Sequence, residues 1–390
     1  MSREDQSLGL YVHWPFCKAK CPYCDFNSHV SSQVDYAAFQ TGMLAEMRHL
    51  ASHLEQPSKL RSIFFGGGTP SLMPPDLIAA ILAEAEQIFG FATDIEITAE
   101  ANPTSVETAK LTGFKSAGVN RVSLGIQALD PAQLHFLGRE HSVTEALAAL
   151  ALAQTIFERV SIDLIYGLPG QTPVNWQATL RQLLGLGLDH LSLYQLTIEA
   201  GTVFYTRQRQ GDVLTGSDDV VAGLFEMTNA TMEEAGLAAY EVSNYARDGH
   251  ECRHNLTYWQ AHDWLGIGPG AHSRFDRQGQ RVGLASRRSP QSWLEMTALK
   301  GHAIETECVE TPMGWANEML MMGLRLKTGI DLNLIEQKCG PRQLWLDQNR
   351  LATHFEAGLL QFLEDHNGDR LATTAEGRLL LNSLLADITR

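Results

Sequence analysis

The chain has 390 residues, and its 45 Asp and Glu against 30 Lys and Arg give a formal net charge of −15. That balance argues against a general nucleic-acid binder, which shows a basic face. The hydrophobic fraction of 44% excludes a disordered chain, and the 6 cysteines are too few for a disulfide scaffold.

The first residues, Met1-Ser-Arg-Glu-Asp-Gln-Ser7, are polar and lack the apolar core of a signal peptide. No stretch approaches the ~20 apolar residues of a membrane span. The apolar run Leu77–Phe89 is interrupted by Glu84 and Glu86. Six short apolar runs follow one another: Leu8–His13, Ser62–Phe65, Ile95–Ala99, Arg121–Leu124, Val160–Ile165 and His190–Leu196. Segments of helical periodicity separate them, near 34–54, 75–89, 105–117, 143–157, 172–186 and 219–235. Alternating strands and helices predict an α/β fold with a parallel sheet. Right-handed crossovers curl such a sheet toward a barrel. Six units, not eight, predict an open six-stranded (β/α)6 partial TIM barrel, with a doubly wound sheet as the alternative.

Chemistry in such a barrel sits at the C-terminal ends of the strands. The first strand runs into Cys17-Lys-Ala-Lys-Cys21-Pro-Tyr-Cys24. Three thiolates on one loop can hold three irons of a 4Fe–4S cluster and leave the fourth open. An incomplete zinc site or free thiols are the alternatives. Cys252, Cys308 and Cys339 are scattered and read as reduced, mostly buried thiols. The second strand ends at Gly66-Gly67-Gly68-Thr69-Pro70, which lacks the Gly-Lys-Ser/Thr of a phosphate loop. Glu100-Ala-Asn102-Pro103, Gly125-Ile-Gln127, Asp163-Leu-Ile-Tyr-Gly167-Leu-Pro169 and Gln195 close the next four, and Arg139 follows in Leu-Gly-Arg-Glu-His. Taken singly, these are turns and surface charges. Together they line one rim.

From about Gly236 the pattern changes. Tyr240–Tyr245 alternates and predicts one more strand. His254-Asn255-Leu-Thr-Tyr258-Trp259 and the glycine run Gly266–His272 follow, and residues 275–290 read as a hairpin or loop. Helices are predicted near 312–326, 331–338, 341–356 and 374–388. Leu359–Leu363, Asn367-Gly368 and Arg370–Ala372 predict a hairpin with a type I′ turn. Helices followed by a hairpin are winged-helix-like, but Glu364, Asp365 and Asp369 oppose phosphate contacts.

With these motifs the chain resembles the oxygen-independent coproporphyrinogen III oxidase-like branch of the radical S-adenosylmethionine (SAM) superfamily. Within it, His254-Asn255-x-x-Tyr258-Trp259 is similar to the haem-chaperone members. The resemblance implies a 4Fe–4S cluster on Cys17, Cys21 and Cys24, with SAM on the open iron as a source of 5′-deoxyadenosyl radical. It places Tyr11 beside SAM, Gly67, Gly68 and Thr69 at its methionine end and Glu100 on the ribose side. Gln127, Arg139 and Asp163 match contacts to a second SAM in the oxidase. His254, Asn255, Tyr258 and Trp259 form the haem motif, with His13 and His272 as rival iron ligands. The implied partners are haem, a haem-acceptor protein (membrane-associated acceptors included) and an electron donor. An oxygen-sensitive cluster belongs in a reducing compartment, so a cytoplasmic location is expected. Three units follow: a radical SAM core over 1–245, a connecting segment over 246–300, and a helical, winged-helix-like domain over 301–390.

The oxidase pattern has a further cysteine where this chain has Phe26, and a longer segment where ten residues precede Tyr11. Both departures favour haem binding and transfer over oxidative decarboxylation of coproporphyrinogen III, which stands as the alternative, with a methyltransferase or ring-opening haem enzyme as a third. Catalytic residues are not assigned.

Overall fold

The computed structural model describes residues 8–55, 58–365 and 368–389. Each of the six predicted strands forms. They are β1 (Leu8–Trp14), β2 (Leu60–Gly67), β3 (Phe91–Ala101), β4 (Arg121–Gln127), β5 (Arg159–Tyr166) and β6 (His190–Gln195). They pair in parallel and in chain order. A doubly wound sheet would reverse its strand order at a switch point. No reversal occurs across β1–β6, so the core winds one way, as an open barrel does.

Helices fill the crossovers: α1 (Tyr36–Ala51), α2 (Pro75–Phe89), α3 (Val143–Ile156), α4 (Pro173–Leu184) and α5 (Asp218–Glu234). Ser142 and Thr172 start α3 and α4 with reciprocal side-chain caps on Glu145 and Asn175. The segment predicted as one helix over 105–117 breaks into Ser105–Thr108 and Leu111–Ala117. At the break the Lys110 ammonium donates to the Ser71 and Leu72 carbonyls, 3.2 and 2.9 Å away.

Two expectations after residue 236 need correction. Tyr240–Tyr245 is not one strand. Ala238–Ala239 (β7) and Asn244–Ala246 (β8) form an antiparallel pair around a turn, and β8 lies on β6. Within that turn Glu241 accepts from the Ser243 backbone and the Asn244 amide, which closes it. The segment over 246–300, read as a connector, instead extends the main sheet. Asp263–Ile267 (β9) pairs in parallel with β1, from Leu8 against Asp263 to Val12 against Ile267. His272–Arg277 (β10), Gln280–Ser286 (β11) and Ile304–Val309 (β12) follow as antiparallel strands. The sheet reads β12-β11-β10-β9-β1-β2-β3-β4-β5-β6-β8-β7. The floor of the molecule therefore continues well past the first barrel strand.

The C-terminal module starts with α6 (Pro312–Gly323). Then come Ile330–Asp331, α7 (Leu332–Cys339), α8 (Gln348–Glu356), a hairpin of Leu360–Asp365 on Gly368–Thr373, and two short helices, Ala375–Leu379 and Leu381–Ile388. The predicted turn at Asn367 lies outside the described residues, as does the polar N-terminus. A second buried cluster holds the module together around Trp315, Leu320, Trp345 and Leu371. Ion pairs bind it to the sheet: the buried Arg281 guanidinium meets Asp263 at 2.8 Å and Glu318 at 3.0 Å. Among the described residues no helix is long and apolar enough to cross a membrane.

Candidate functional site

The cysteine loop leaves the end of β1 and is held at its base. Phe16–Cys17 pairs with His29–Val30, and the Cys24 N–H donates to the Cys21 carbonyl at 3.2 Å. Cys17 is buried, while Cys21 and Cys24 are partly exposed, and all six cysteines are free thiols. The glycine triplet serves this loop directly. The Gly68 and Thr69 N–H groups donate to the Trp14 and Phe16 carbonyls at 2.7 and 2.8 Å. Those donors are thus spent on the loop, and of the triplet only Gly67 reaches the adjoining cavity. Gly67 has φ +109°, a conformation only glycine adopts freely, and an added Cβ there would strike the His13 ring.

Two donors reach the sulfurs. The Thr69 hydroxyl donates to Cys17 Sγ at 3.3 Å, and Arg139 Nη1 to Cys21 Sγ at 3.4 Å. Burial pushes the Cys17 and Cys24 thiols above their ordinary range, and the neighbouring sulfurs add to it. Among the described residues no group of three His, Cys, Asp or Glu side chains converges on a single ion. Three thiols on one loop, two of them receiving hydrogen bonds, have the donor set and supporting contacts that a cluster needs.

Beside the loop lies a cavity of about 550 Å³, within the ~300–1,000 Å³ of ligand pockets. Tyr11, His13, Gly67 and Glu100, at the ends of β1, β2 and β3, wall its barrel side. The rest of the wall comes from Asp25, Phe26 and Asn27 of the cysteine loop and from Gly270, His272, Ala285, Ser286, Arg288, Glu305 and Thr306 along β10–β12. Tyr11 donates from its hydroxyl to His13 Nδ1, 3.0 Å away, and His13 Nε2 sits 2.9 Å from the Asn27 carbonyl. Burial, then the charge of Asp163, pushes the Glu100 carboxyl from 4.5 up to about 8, against the Gly67 N–H that it accepts. At neutral pH it holds its proton and can both donate and accept.

The folded value of Glu100 lies above the unfolded one. Its contribution to stability is therefore fully present below about pH 4 and lost as pH rises toward 8. In the ligand-free protein, Glu100→Gln should gain in urea midpoint relative to wild type between pH 5 and 8. A constant difference across that window would mean that Glu100 ionises as a solvated carboxylate does.

Asp163, raised in the same direction by burial, accepts from Ser123 Oγ at 3.1 Å inside the barrel. Arg139 also donates to Asn102 Oδ1 and to the Gly125 carbonyl. A bulge between Leu124 and Gln127 and a φ of +71° at Gln127 turn its amide back over Gly125. Gln127, Arg139 and Asp163 thus sit at the barrel mouth but do not wall the cavity.

The structure sets the His-Asn-x-x-Tyr-Trp residues behind the cavity wall, where the His254 ring stacks on Tyr11 with centroids 6.2 Å apart. They form a helix, Arg253–Trp259, packed under the rim. His254 is 1% exposed, and both its ring nitrogens are engaged, Nδ1 with Ser62 Oγ at 2.9 Å and Nε2 with Tyr258 Oη at 2.7 Å. Burial pushes its pKa down to about 3, so the ring is neutral. Asn255 donates to Tyr240 Oη at 3.3 Å, and the Arg325 guanidinium of the C-terminal module lies 4.5 Å over the Trp259 ring. The motif builds a corner between barrel and module.

Sequence reasoning passed over Asn27 and Glu46. Glu46 carried a signal: it lies on the buried stripe Phe39, Met43, Glu46, Met47, Leu50 of α1, where a charge calls for buried partners.

Residues 11–183 match the radical SAM superfamily model, and residues 315–380 match the HemN C-terminal domain. The haem chaperone HemW of Escherichia coli is 34% identical, over 97% of each chain, and that of Haemophilus influenzae 35%, again over 97% of each. The chain belongs to the HemN-like radical SAM family, close to HemW. A bovine relative, the mitochondrial radical S-adenosyl methionine domain-containing protein 1, is 40% identical over 98% of this chain and 87% of its own. Among solved structures, coproporphyrinogen III oxidase (HemN) from Escherichia coli, a radical SAM enzyme, superposes with a TM-score of 0.80 at 24% identity. It covers 98% of this chain and 89% of that one, and the likeness establishes the fold. The superfamily match spans the cysteine loop, Gly67, Glu100, Gln127, Arg139 and Asp163, whereas the His254 helix falls in neither match. Membership makes this a haem-related radical SAM protein, and the family implies a 4Fe–4S cluster and SAM.

Proposed function

We propose that this family member is a haem chaperone. It binds haem and passes it to an acceptor protein, membrane-associated acceptors included, and carries a 4Fe–4S cluster on Cys17, Cys21 and Cys24. The observation that carries this is the likeness to haem chaperones across 97% of both chains. Phe26, which stands where the oxidase pattern has a further cysteine, supports it against decarboxylation.

When bound, the cluster and SAM supply one-electron chemistry. The protein's share is placement. Thr69 and Arg139 hold two sulfurs, and Tyr11, Gly67 and the protonated Glu100 wall the space for SAM next to the loop. A neutral carboxyl there can donate to one ribose hydroxyl and accept from its neighbour. Arg139, Gln127 and Asp163 shape the barrel mouth beyond. Thiol ligands and an oxygen-sensitive cluster fit a reducing compartment such as the cytoplasm, with an electron donor outside the chain.

Anaerobic reconstitution, then haem titration and a coproporphyrinogen III decarboxylation assay on the same sample, tests the proposal. Stoichiometric haem binding without decarboxylation is the expected result. Decarboxylation without haem binding would replace the chaperone by the oxidase.

A further inference from the structure

Resting on the haem-binding reading above, we propose that haem docks against the β10–β12 side of the cavity, with His272 as iron ligand and Arg288 pairing with a propionate. The motif histidine His254 is not the ligand.

The argument starts from which imidazoles are free. An iron ligand must offer an unshared nitrogen at a surface the porphyrin can reach. His254 is sealed, with both nitrogens bonded. His13 is 6% exposed, and its nitrogens meet Tyr11 and Asn27. His272 is exposed on the cavity wall, and its ring has no hydrogen-bond partner among the described residues. Partial burial together with Arg274 and Arg288 pushes its pKa down, so it is neutral at physiological pH.

The position of His272 is built rather than incidental. It is the first residue of β10, and β9, which leads into it, runs parallel to β1. The ring therefore stands at the same end of the sheet as the cysteine loop. Three glycines bring the connecting turn there. A side chain on Gly266 would collide with the His272 backbone, one on Gly268 with the His13 carbonyl, and one on Gly270 with Asn27. The turn is then fastened from both sides. The Asn27 amide, from the cysteine loop, donates to the Pro269 and Arg288 carbonyls at 2.8 and 2.9 Å. The buried Glu46 carboxylate accepts from the Gly268 N–H at 2.8 Å.

The neighbouring groups match a metalloporphyrin's remaining chemistry. The exposed Arg288 guanidinium makes no ion pair or hydrogen bond among the described residues. The same lining carries the carboxylates of Asp25 and Glu305, the latter 3.8 Å from Arg287, and leaves the Arg288 guanidinium as the cation open to a propionate. Phe26, 57% exposed and in the same cavity lining, offers an apolar ring to a flat apolar ligand. Tyr11, Gly67 and Glu100, on the barrel side, stay free for SAM.

The test is an anaerobic titration of the full chain with ferric haem, read by the Soret band and by affinity. It compares wild type, His272→Ala, His254→Gln and Arg288→Glu, each checked for native circular dichroism. His272→Ala should move the Soret maximum and weaken binding about tenfold or more, at least the loss that removing a hydrogen-bond partner of a metal ligand causes, and added imidazole should restore the spectrum. Arg288→Glu should weaken binding without moving the band, and His254→Gln should do neither. If wild type binds haem and His272→Ala keeps its spectrum and affinity, the site is wrong while the chaperone reading stands. If wild type binds no haem, the reading beneath it fails.

Discussion

Cys21→Ser should lose the iron–sulfur centre. After anaerobic reconstitution, wild type is expected to hold about four irons with a broad visible absorption, and the variant less than about one stable iron per chain. The substitution changes one atom of a partly exposed side chain, so the fold should persist, as circular dichroism will check. The effect is large because the loop holds only three cysteines, so each is needed for one iron of the cluster. Cys21 is also the sulfur that Arg139 reaches, at 3.4 Å. Arg139→Gln should keep the irons and lower the reduction potential, because a charge-assisted donor to sulfur favours the more negative, reduced state. A Cys21→Ser protein with a full complement of iron and unchanged absorption would sink the three-cysteine assignment.

The barrel was legible because its units are local. Each apolar run ends where glycine or proline interrupts it, and each helix shows its own period. β9 was not legible. It spans five residues, follows only the short helix Arg253–Trp259, and finds its partner β1 some 250 residues back in the chain. Its glycines could be seen but not explained, since their reason is the closeness of His13 and Asn27 in space. The cysteine loop announced itself by spacing alone. Gly67, Gly68 and Thr69 lie at the end of β2, as the pattern of apolar runs predicts. Yet only the structure shows that two of their N–H groups hold the loop and are unavailable to a ligand. His254 shows the converse limit. A histidine among aromatic residues reads like a haem site. Its burial, however, is decided by Ser62, 192 residues away, which no local pattern reports.

Glu46→Ala should be the most destabilising single change in the region that shapes the cavity. The carboxylate lies on the inward stripe of α1 and is 0% exposed. Oε2 accepts from the Gly268 N–H at 2.8 Å and from Trp293 Nε1 at 3.0 Å. Oε1 accepts from Ser286 Oγ at 2.8 Å and from the Ala303 N–H at 3.1 Å. Burial pushes this carboxyl above its usual range, and the four donors pull it back. Those donors come from the glycine turn, the end of β11, the helix Pro290–Lys300 and the approach to β12, so one side chain ties α1 to the last quarter of the sheet. The serine hydroxyl can rotate to another acceptor. The two backbone N–H groups cannot turn away, and each buried orphan costs about 1–3 kcal/mol. With the cavity left by the side chain, a loss of about 3–5 kcal/mol is expected in urea unfolding. Glu46→Gln keeps one acceptor oxygen and should cost less, because its amide nitrogen faces two donors instead of four finding no acceptor. The same variants should loosen the turn before His272, seen as faster amide exchange at Gly268 and Gly270 than in wild type. A cost below about 1 kcal/mol for Glu46→Ala, with exchange unchanged, would mean that water takes over the four donors and that the turn is held by Asn27 alone.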